Sequence, residues 1–187
     1  NPNQQVFSGY RQVNLMQKFA FKLSKHKTIK YGIHWSNTSN IPRYDRLILR
    51  EGNGLKNGDW YYGPQKWFMN NISYTSAKRT QLSDNIQITL AQQNFEESRN
   101  DRRFGTTLLR QRTEKLLALS ANVDVQKRLT RKIELSYGAE YIHNGLRSQA
   151  SILDITDGTT SPTGTRYPNG SHWESIGTYM NLRKNWN

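Results

Sequence analysis

Seven stretches of the chain alternate apolar and polar residues with a period of two. In residues 28–36 the apolar side chains occupy the odd positions, whereas polar or small residues occupy the even ones. Successive side chains of a β-strand point to opposite faces, so this pattern predicts a strand with one apolar and one polar face. The other six predicted strands lie at 10–23, 67–76, 85–95, 113–125, 132–143 and 174–184.

Two of these stretches alternate less cleanly than the others. Residues 67–76 carry Asn70 in the apolar phase, and residues 174–184 offer only Ile176, Met180 and Leu182 there. A helix is the alternative for 113–125, which is rich in good helix formers. We expect strands in all seven places, because the regular spacing of the series requires them.

The connections between the predicted strands alternate in length. Short ones lie at about 24–27, 77–84 and 127–131, and long ones at about 37–66, 98–112 and 144–173. In bacterial transmembrane β-barrels the short turns are periplasmic and the long loops are extracellular. The chain therefore predicts an all-β, antiparallel, up-and-down transmembrane barrel, whose first strand runs inward from the outside.

An odd number of strands predicts that this barrel wall is incomplete. Bacterial barrels formed by one chain usually close with an even number of strands. We expect about seven strands of a larger barrel, with two open edges that promote association or poor solubility if the segment is expressed alone.

Composition agrees with such a barrel. The chain has 187 residues, a mean hydropathy of -0.88 and no cysteine. It lacks the run of about 18 apolar residues that a membrane-spanning helix needs, but in a barrel only alternate residues face lipid. The lack of cysteine excludes a disulfide framework and thiolate metal sites.

A formal charge of +13 suggests a nucleic-acid partner, but the placement of the charges disfavours one. Mid-strand charges such as Lys18, Lys30 and Glu134 fall in the polar phase, and those in the apolar phase, such as Lys115, lie near predicted strand ends. A cationic side chain facing lipid at the bilayer midplane costs about 2–4 kcal/mol, so a barrel needs this segregation. A soluble basic β-protein that binds single-stranded nucleic acid remains an alternative.

Several segments resemble the barrel region of TonB-dependent outer-membrane receptors, particularly those of Bacteroidetes-type bacteria, from about residue 10 onward. They are 41–47 (Ile-Pro-Arg-Tyr-Asp-Arg-Leu), 60–66 (Trp-Tyr-Tyr-Gly-Pro-Gln-Lys), 96–105 (Glu-Glu-Ser-Arg-Asn-Asp-Arg-Arg-Phe-Gly), 110–114 (Arg-Gln-Arg-Thr-Glu) and 165–170 (Thr-Arg-Tyr-Pro-Asn-Gly). The resemblance implies a barrel of about twenty-two strands around a separate amino-terminal plug. It also implies energised uptake of an iron chelate, haem or a similar scarce nutrient through the inner-membrane TonB complex.

On this interpretation residues 1–187 are part of the barrel domain, and the plug lies outside them. The expected location is the outer membrane of a Gram-negative bacterium. The expected partners are outer-membrane lipid and lipopolysaccharide, the TonB complex through the missing plug, and a small-molecule or metal-chelate ligand, with no nucleic acid. A passive porin or structural barrel is a second alternative. A plug domain and a TonB-contacting segment upstream of the chain would distinguish a receptor from such a barrel.

The second predicted long loop contains four arginines, namely Arg99, Arg102, Arg103 and Arg110. Guanidinium groups bind carboxylate, phosphate or an anionic metal chelate. The alternative is a network at the barrel rim with neighbouring carboxylates, or contacts to lipopolysaccharide phosphates, and exposed ion pairs of that kind contribute little to stability.

Aromatic residues and one histidine are further candidates. Trp60, Tyr61 and Tyr62 could stack on a flat ligand, or else belong to loop packing or to an interfacial belt with Trp35, Trp67 and Tyr141. His172 could ligate haem iron, although a scattered histidine is more often a polar surface residue.

Motifs for catalysis are missing from the sequence. It contains no Gly-rich phosphate loop after a strand, no nucleophile elbow and no metal-binding histidine pair. We therefore expect no enzymatic activity and no cofactor.

Overall fold

The computed structural model describes residues 8–186, which form mainly antiparallel β-structure. The strands are β1 (Gln12–Ser24), β2 (Lys27–Thr38), β3 (Ile41–Pro42), β4 (Arg50–Glu51), β5 (Gly54–Leu55), β6 (Asn57–Tyr62), β7 (Lys66–Ser76), β8 (Asn85–Arg103), β9 (Leu108–Arg128), β10 (Ile133–Asp154), β11 (Thr160–Pro162) and β12 (His172–Lys184). A short helix, α1 (Tyr44–Leu47), lies between β3 and β4.

Seven long strands form the wall of the sheet, in the order β1, β2, β7, β8, β9, β10 and β12, and each pairs antiparallel with the next. These strands coincide with the seven predicted stretches, including the two that alternate less cleanly. The predicted all-β, up-and-down architecture is confirmed. The helical alternative for 113–125 is wrong, because that segment lies within β9.

The strand register separates an apolar face from a polar face. One row of register partners on the apolar face crosses all seven strands, namely Phe19, Tyr31, Ile72, Leu90, Ala121, Tyr141 and Ile176. A neighbouring row on the polar face consists of Ala20, Lys30, Ser73, Thr89, Asn122, Glu140 and Gly177. The period-two pattern of the sequence therefore becomes a continuous property of the whole sheet.

This sheet is a single layer with little interior. Among residues 8–186, only Leu109 and Val125 are buried hydrophobic side chains. On the apolar face, by contrast, Leu90 is 50% exposed and Ile176 is 79% exposed. A continuous exposed apolar surface of this kind marks a face that interacts with lipid or protein.

The two ends of the wall differ. At one end, which we call the turn end, the connections are 25–26, 77–84 and 129–132. At the other, the loop end, the connections 39–65 and 155–171 contain the short strands β3–β6 and β11.

The predicted long loop at 98–112 is wrong, and the loop at 144–173 is shorter than predicted. β8 continues to Arg103, β9 begins at Leu108, and β10 continues to Asp154. Both faces of the sheet are mainly polar here, so the alternation disappears although the backbone pairing continues. The strict alternation of connection lengths consequently fails between β8 and β9, whose turn at 104–107 is short.

The first long connection also contains regular structure. β6 pairs with the part of β8 that extends beyond β7, and β3 pairs with the other edge of β6. This arrangement continues the sheet toward the loop end. In the described part of the chain, no helix has the length and apolar character needed to cross a membrane.

A glycine on the polar face supplies a test of this packing. A Cβ at Gly138 would overlap the Val123 carbonyl oxygen and the ring of Tyr179. Tyr179 is held there because its hydroxyl donates a hydrogen bond of 2.9 Å to Asp124. We expect Gly138→Ala to lower the free energy of unfolding by about 1–3 kcal/mol, the usual cost of overpacking.

The matched control is Gly177→Ala, because a Cβ at Gly177 meets no atom within 4 Å. We expect this change to stay within about 0.5 kcal/mol of the unsubstituted protein. Urea unfolding in detergent micelles measures both variants, and equal destabilisation by the two would contradict the close packing over Gly138.

Candidate functional site

Aromatic and charged side chains gather on the polar face at the loop end. β6 places Tyr62 opposite Arg99 and Trp60 opposite Asp101 on β8. β9 places Arg112 opposite Arg99. Because register partners share a face, three adjacent strands present these side chains together.

A cavity of about 280 Å³ lies within this group, and we call it the basic pocket. Five of its lining side chains are cationic and one is a carboxylate. The lining residues are Arg46, Leu49, Lys56, Asn57, Trp60, Asp101, Arg103, Arg110 and Arg112. Guanidinium groups donate several hydrogen bonds in a fixed planar geometry that suits carboxylates and phosphates.

Most of the cations in the basic pocket already have an acidic partner. Arg112 forms an ion pair with Asp101. Glu51 lies 2.8 Å from Arg103 Nη1 and 3.8 Å from Lys56 Nζ. Only Arg110, among the cations lining the pocket, makes no hydrogen bond or ion pair with the part of the chain that the structure describes. The pocket thus retains an uncompensated positive charge.

The aromatic residues beside the basic pocket are covered by arginines. Trp60 and Tyr62 meet edge to face, with ring centroids 5.0 Å apart. The Arg43 guanidinium lies 5.5 Å from the Trp60 ring and 5.3 Å from the Tyr62 ring, and the Arg99 guanidinium lies 5.2 Å from the Tyr62 ring. Cations within about 6 Å of an aromatic ring are attracted to its face. A flat ligand could stack there only by displacing them.

Asp45 fixes the arginine nearest to these rings. The Nε and Nη2 groups of Arg43 each donate a hydrogen bond of 2.8 Å to the Asp45 carboxylate. Nη1 of Arg43 donates to the Tyr62 hydroxyl at 3.1 Å. The Arg43 guanidinium holds the pKa of Asp45 below its usual value, so the carboxylate stays charged and keeps the arginine in place.

Tyr61 and Arg102 are predicted site residues that lie on the opposite face from the basic pocket. Tyr61 alternates with Trp60 and Tyr62 along β6, and its half-burial raises the pKa of the phenol. Arg102 pairs with Asp59 and donates a hydrogen bond of 2.6 Å to the carbonyl oxygen of Thr106. Arg102 therefore links β6 to the turn after β8.

His172 is separated from the other candidates. It begins β12 opposite Gly145, on the apolar face. Its ring stacks on that of His143, with centroids 6.5 Å apart, and His143 Nδ1 lies 3.0 Å from Glu174 Oε1. Of the predicted site residues, the structure brings together Arg99, Arg103, Trp60 and Tyr62.

Trp67, expected in an interfacial belt, lies on the polar face instead. Its ring contacts that of His34, with centroids 4.5 Å apart, and its Nε1–H donates a hydrogen bond of 3.2 Å to the Gln93 side chain. It follows Lys66 in β7, and adjacent strand residues point to opposite faces.

A second polar cluster, which no sequence pattern predicts, lies on the polar face, nearer the turn end than the arginines. Glu97, Glu114 and Ser148 are register partners on β8, β9 and β10. Glu114 is 7% exposed and Ser148 is 1% exposed. Arg166 Nη1 lies 3.6 Å from Glu114 and 3.9 Å from Glu97. The arginine thus reduces the repulsion between two adjacent carboxylates.

This cluster fixes the connection 155–171 across the polar face. Besides the Arg166 contacts, the side chain of Asn169 accepts a hydrogen bond of 3.0 Å from the backbone N–H of Ser148. No spacing in the sequence relates Arg166 to residues so distant in the chain, so only the strand register reveals the contact. Residues 8–186 contain no group of three or more histidine, aspartate or glutamate residues placed to hold a metal ion.

The chain matches no protein-family model and no curated protein, but it is similar to solved structures. The copper transporter OprC superimposes with a TM-score of 0.67 at 8% sequence identity, over 92% of this chain and 26% of that one. The ferric yersiniabactin uptake receptor FyuA from Yersinia pestis superimposes with a TM-score of 0.52 at 14% identity, over 92% of this chain and 25% of that one.

Both of these neighbours have the TonB-dependent receptor barrel fold, and one is a transporter and the other an uptake receptor. The chain spans about a quarter of the length of each. At these identities the likeness concerns the fold and does not distinguish a Bacteroidetes-type subgroup, which stays a prediction. The sheet accordingly has the fold of one section of a TonB-dependent receptor barrel.

Proposed function

We propose that the chain is part of the barrel wall of an outer-membrane TonB-dependent receptor that takes up an anionic metal chelate. The observation that carries this proposal is the apolar row across all seven wall strands, combined with a basic pocket on the opposite face. A barrel wall needs lipid-facing side chains on one surface and ligand-facing polar groups on the other.

The membrane assignment follows from the exposure of the apolar face. Covering that face with acyl chains supplies the hydrophobic free energy that a single-layer sheet cannot obtain from its own interior. The loop end is then the extracellular end, because it carries the longer connections and the added strands. A soluble nucleic-acid-binding protein is disfavoured, since the apolar face would remain in water.

The ligand class follows from the charge of the basic pocket. The uncompensated guanidinium of Arg110 suits an anionic ligand, and the neighbours of this fold include a copper transporter and a ferric siderophore receptor. We favour a metal chelate over haem, because His172 lies on the face opposite the basic pocket. Energy from the TonB complex, transmitted through a plug encoded outside this chain, is part of the proposal.

The membrane assignment is tested by placing a lysine on each face of β8. Leu90→Lys puts a charge in the middle of the apolar row, and we expect it to make folding into phospholipid vesicles less favourable by about 2–4 kcal/mol. Gln87→Lys is the matched control, because Gln87 is exposed on the polar face. Urea titration of the vesicle-inserted protein gives the free energy of unfolding of both variants. Equal destabilisation by the two lysines would contradict the membrane assignment.

The ligand proposal is tested with two iron chelates of different charge. We expect the anionic ferric tricatecholate complex to bind better than the neutral ferric trihydroxamate complex. Arg110→Ala should weaken binding of the anionic chelate about 10- to 100-fold, as expected for one charge-assisted hydrogen bond. It breaks no ion pair, because Arg110 forms none among residues 8–186, although it stands opposite Asp101 in the strand register.

Arg131→Ala is the control for this experiment, since Arg131 is exposed in a connection at the turn end. Calorimetric titration of the full-length receptor compares the variants. Loss of binding in the control, or equal affinity for the two chelates, would contradict an electrostatic role for the basic pocket.

A further inference from the structure

A row of polar and mainly charged residues, which we call the charged row, crosses the apolar face at the loop-end border of its hydrophobic band. The row comprises Asn37, Lys66, Glu96, Lys115 and Arg147, each a register partner of the next from β2 to β10. Three members are cations and one is a carboxylate. In the sequence Lys115 is visible only as a charge near a predicted strand end, because the spacing of residues does not show which neighbours the adjacent strands place beside it.

Glu96 compensates only part of this charge. Its Oε1 lies 2.9 Å from Lys66 Nζ, and its Oε2 lies 3.2 Å from Lys115 Nζ. One carboxylate is therefore shared by two lysines, which leaves the row with an excess of positive charge.

Arg147 is the least compensated member of the row. It is exposed and stands directly opposite Lys115 in the register of β9 and β10. Like charges in directly opposed positions of a sheet destabilise it. Within residues 8–186 Arg147 has no hydrogen bond or ion pair, so its repulsion from Lys115 is not offset by a carboxylate of its own.

The charged row forms one side of an amphipathic groove. The groove has a volume of about 720 Å³, and its lining includes Lys66, Lys115 and Arg147. Its lining also includes apolar residues one step toward the turn end, on the same face, namely Trp35, Phe68 and Leu117. A ligand of this groove needs an anionic head and an apolar body joined to it.

We propose that Lys66, Lys115 and Arg147 bind the phosphate of a lipid headgroup, whose acyl chains lie against Trp35, Phe68 and Leu117. This site rests on the proposed function, in which the apolar face lies in the outer membrane. The occupant is a phosphorylated glycolipid of the lipid A type, because the row lies at the extracellular border of the apolar band. Lysine supplies compact charges, whereas the arginine guanidinium binds two phosphate oxygens at once.

The position of the row explains why a phosphate suits it. Lysine and arginine at a bilayer border place their alkyl stems along apolar surface and keep the charged group at headgroup depth. A phosphate between Lys115 and Arg147 attracts both cations, and these two attractions offset the repulsion between the cations. A free anion makes the same polar contacts but leaves the apolar lining of the groove exposed.

Native mass spectrometry of the full-length protein in detergent tests this site, with diphosphorylated lipid A as the probe. We expect lipid A to be retained, and Arg147→Gln and Lys115→Gln each to reduce the bound fraction at limiting lipid by about tenfold or more. Dephosphorylated lipid A should not be retained, and millimolar inorganic phosphate should not displace lipid A. Arg131→Gln, at the turn end, is the matched control and should bind normally.

Retention of dephosphorylated lipid A, or equal losses in Arg147→Gln and Arg131→Gln, would overturn the phosphate site. Displacement by inorganic phosphate would assign the row to a free anion and would overturn the lipid proposal. The outcome is separable from that of the proposed function, because the vesicle experiment with Leu90→Lys tests the membrane-facing surface without involving the charged row. Arg147→Gln should also leave binding of the ferric chelate unchanged.

Discussion

The need to cover one apolar face of a single-layer sheet governs the rest of this structure. A sheet packed against another layer buries its apolar side chains within the protein, whereas here residues such as Leu90 and Ile176 remain exposed along the wall. Backbone pairing satisfies the N–H and C=O groups between strands but does not remove apolar surface from water. The hydrophobic free energy must therefore come from outside the chain, and acyl chains supply it in the proposed membrane setting.

Between the hydrophobic band and the loop end, the two faces of the sheet no longer differ in hydrophobicity. The pairing of charged side chains determines which contacts form there. Three pairs of like charges stand opposite each other in the strand register: Glu97 with Glu114, Arg99 with Arg112, and Lys115 with Arg147. Such pairs destabilise a sheet unless another group intervenes. They therefore indicate where a connection, an aromatic ring or a ligand has to offset the repulsion between like charges.

The three pairs are compensated in different ways. Arg166 approaches both glutamates and thereby holds the connection 155–171 across the polar face. In the arginine pair, Arg112 forms an ion pair with Asp101 and Arg99 lies over the ring of Tyr62. In the third pair, Lys115 shares Glu96 with Lys66, and Arg147 has no described partner. The uneven compensation distinguishes the charged row on the apolar face from the clusters on the polar face.

The sequence by itself determined the seven wall strands, their antiparallel order and the two faces, because alternation is visible wherever those faces meet different surroundings. It could not reveal that β8, β9 and β10 continue past the band, since both faces are mainly polar there. Only the tertiary structure decided that Trp60, Tyr62, Arg99 and Arg103 gather on one face while Tyr61, Arg102 and His172 lie on the other. The physical reason is that contacts between distant segments depend on register, which brings residues together across strands irrespective of their spacing in the chain.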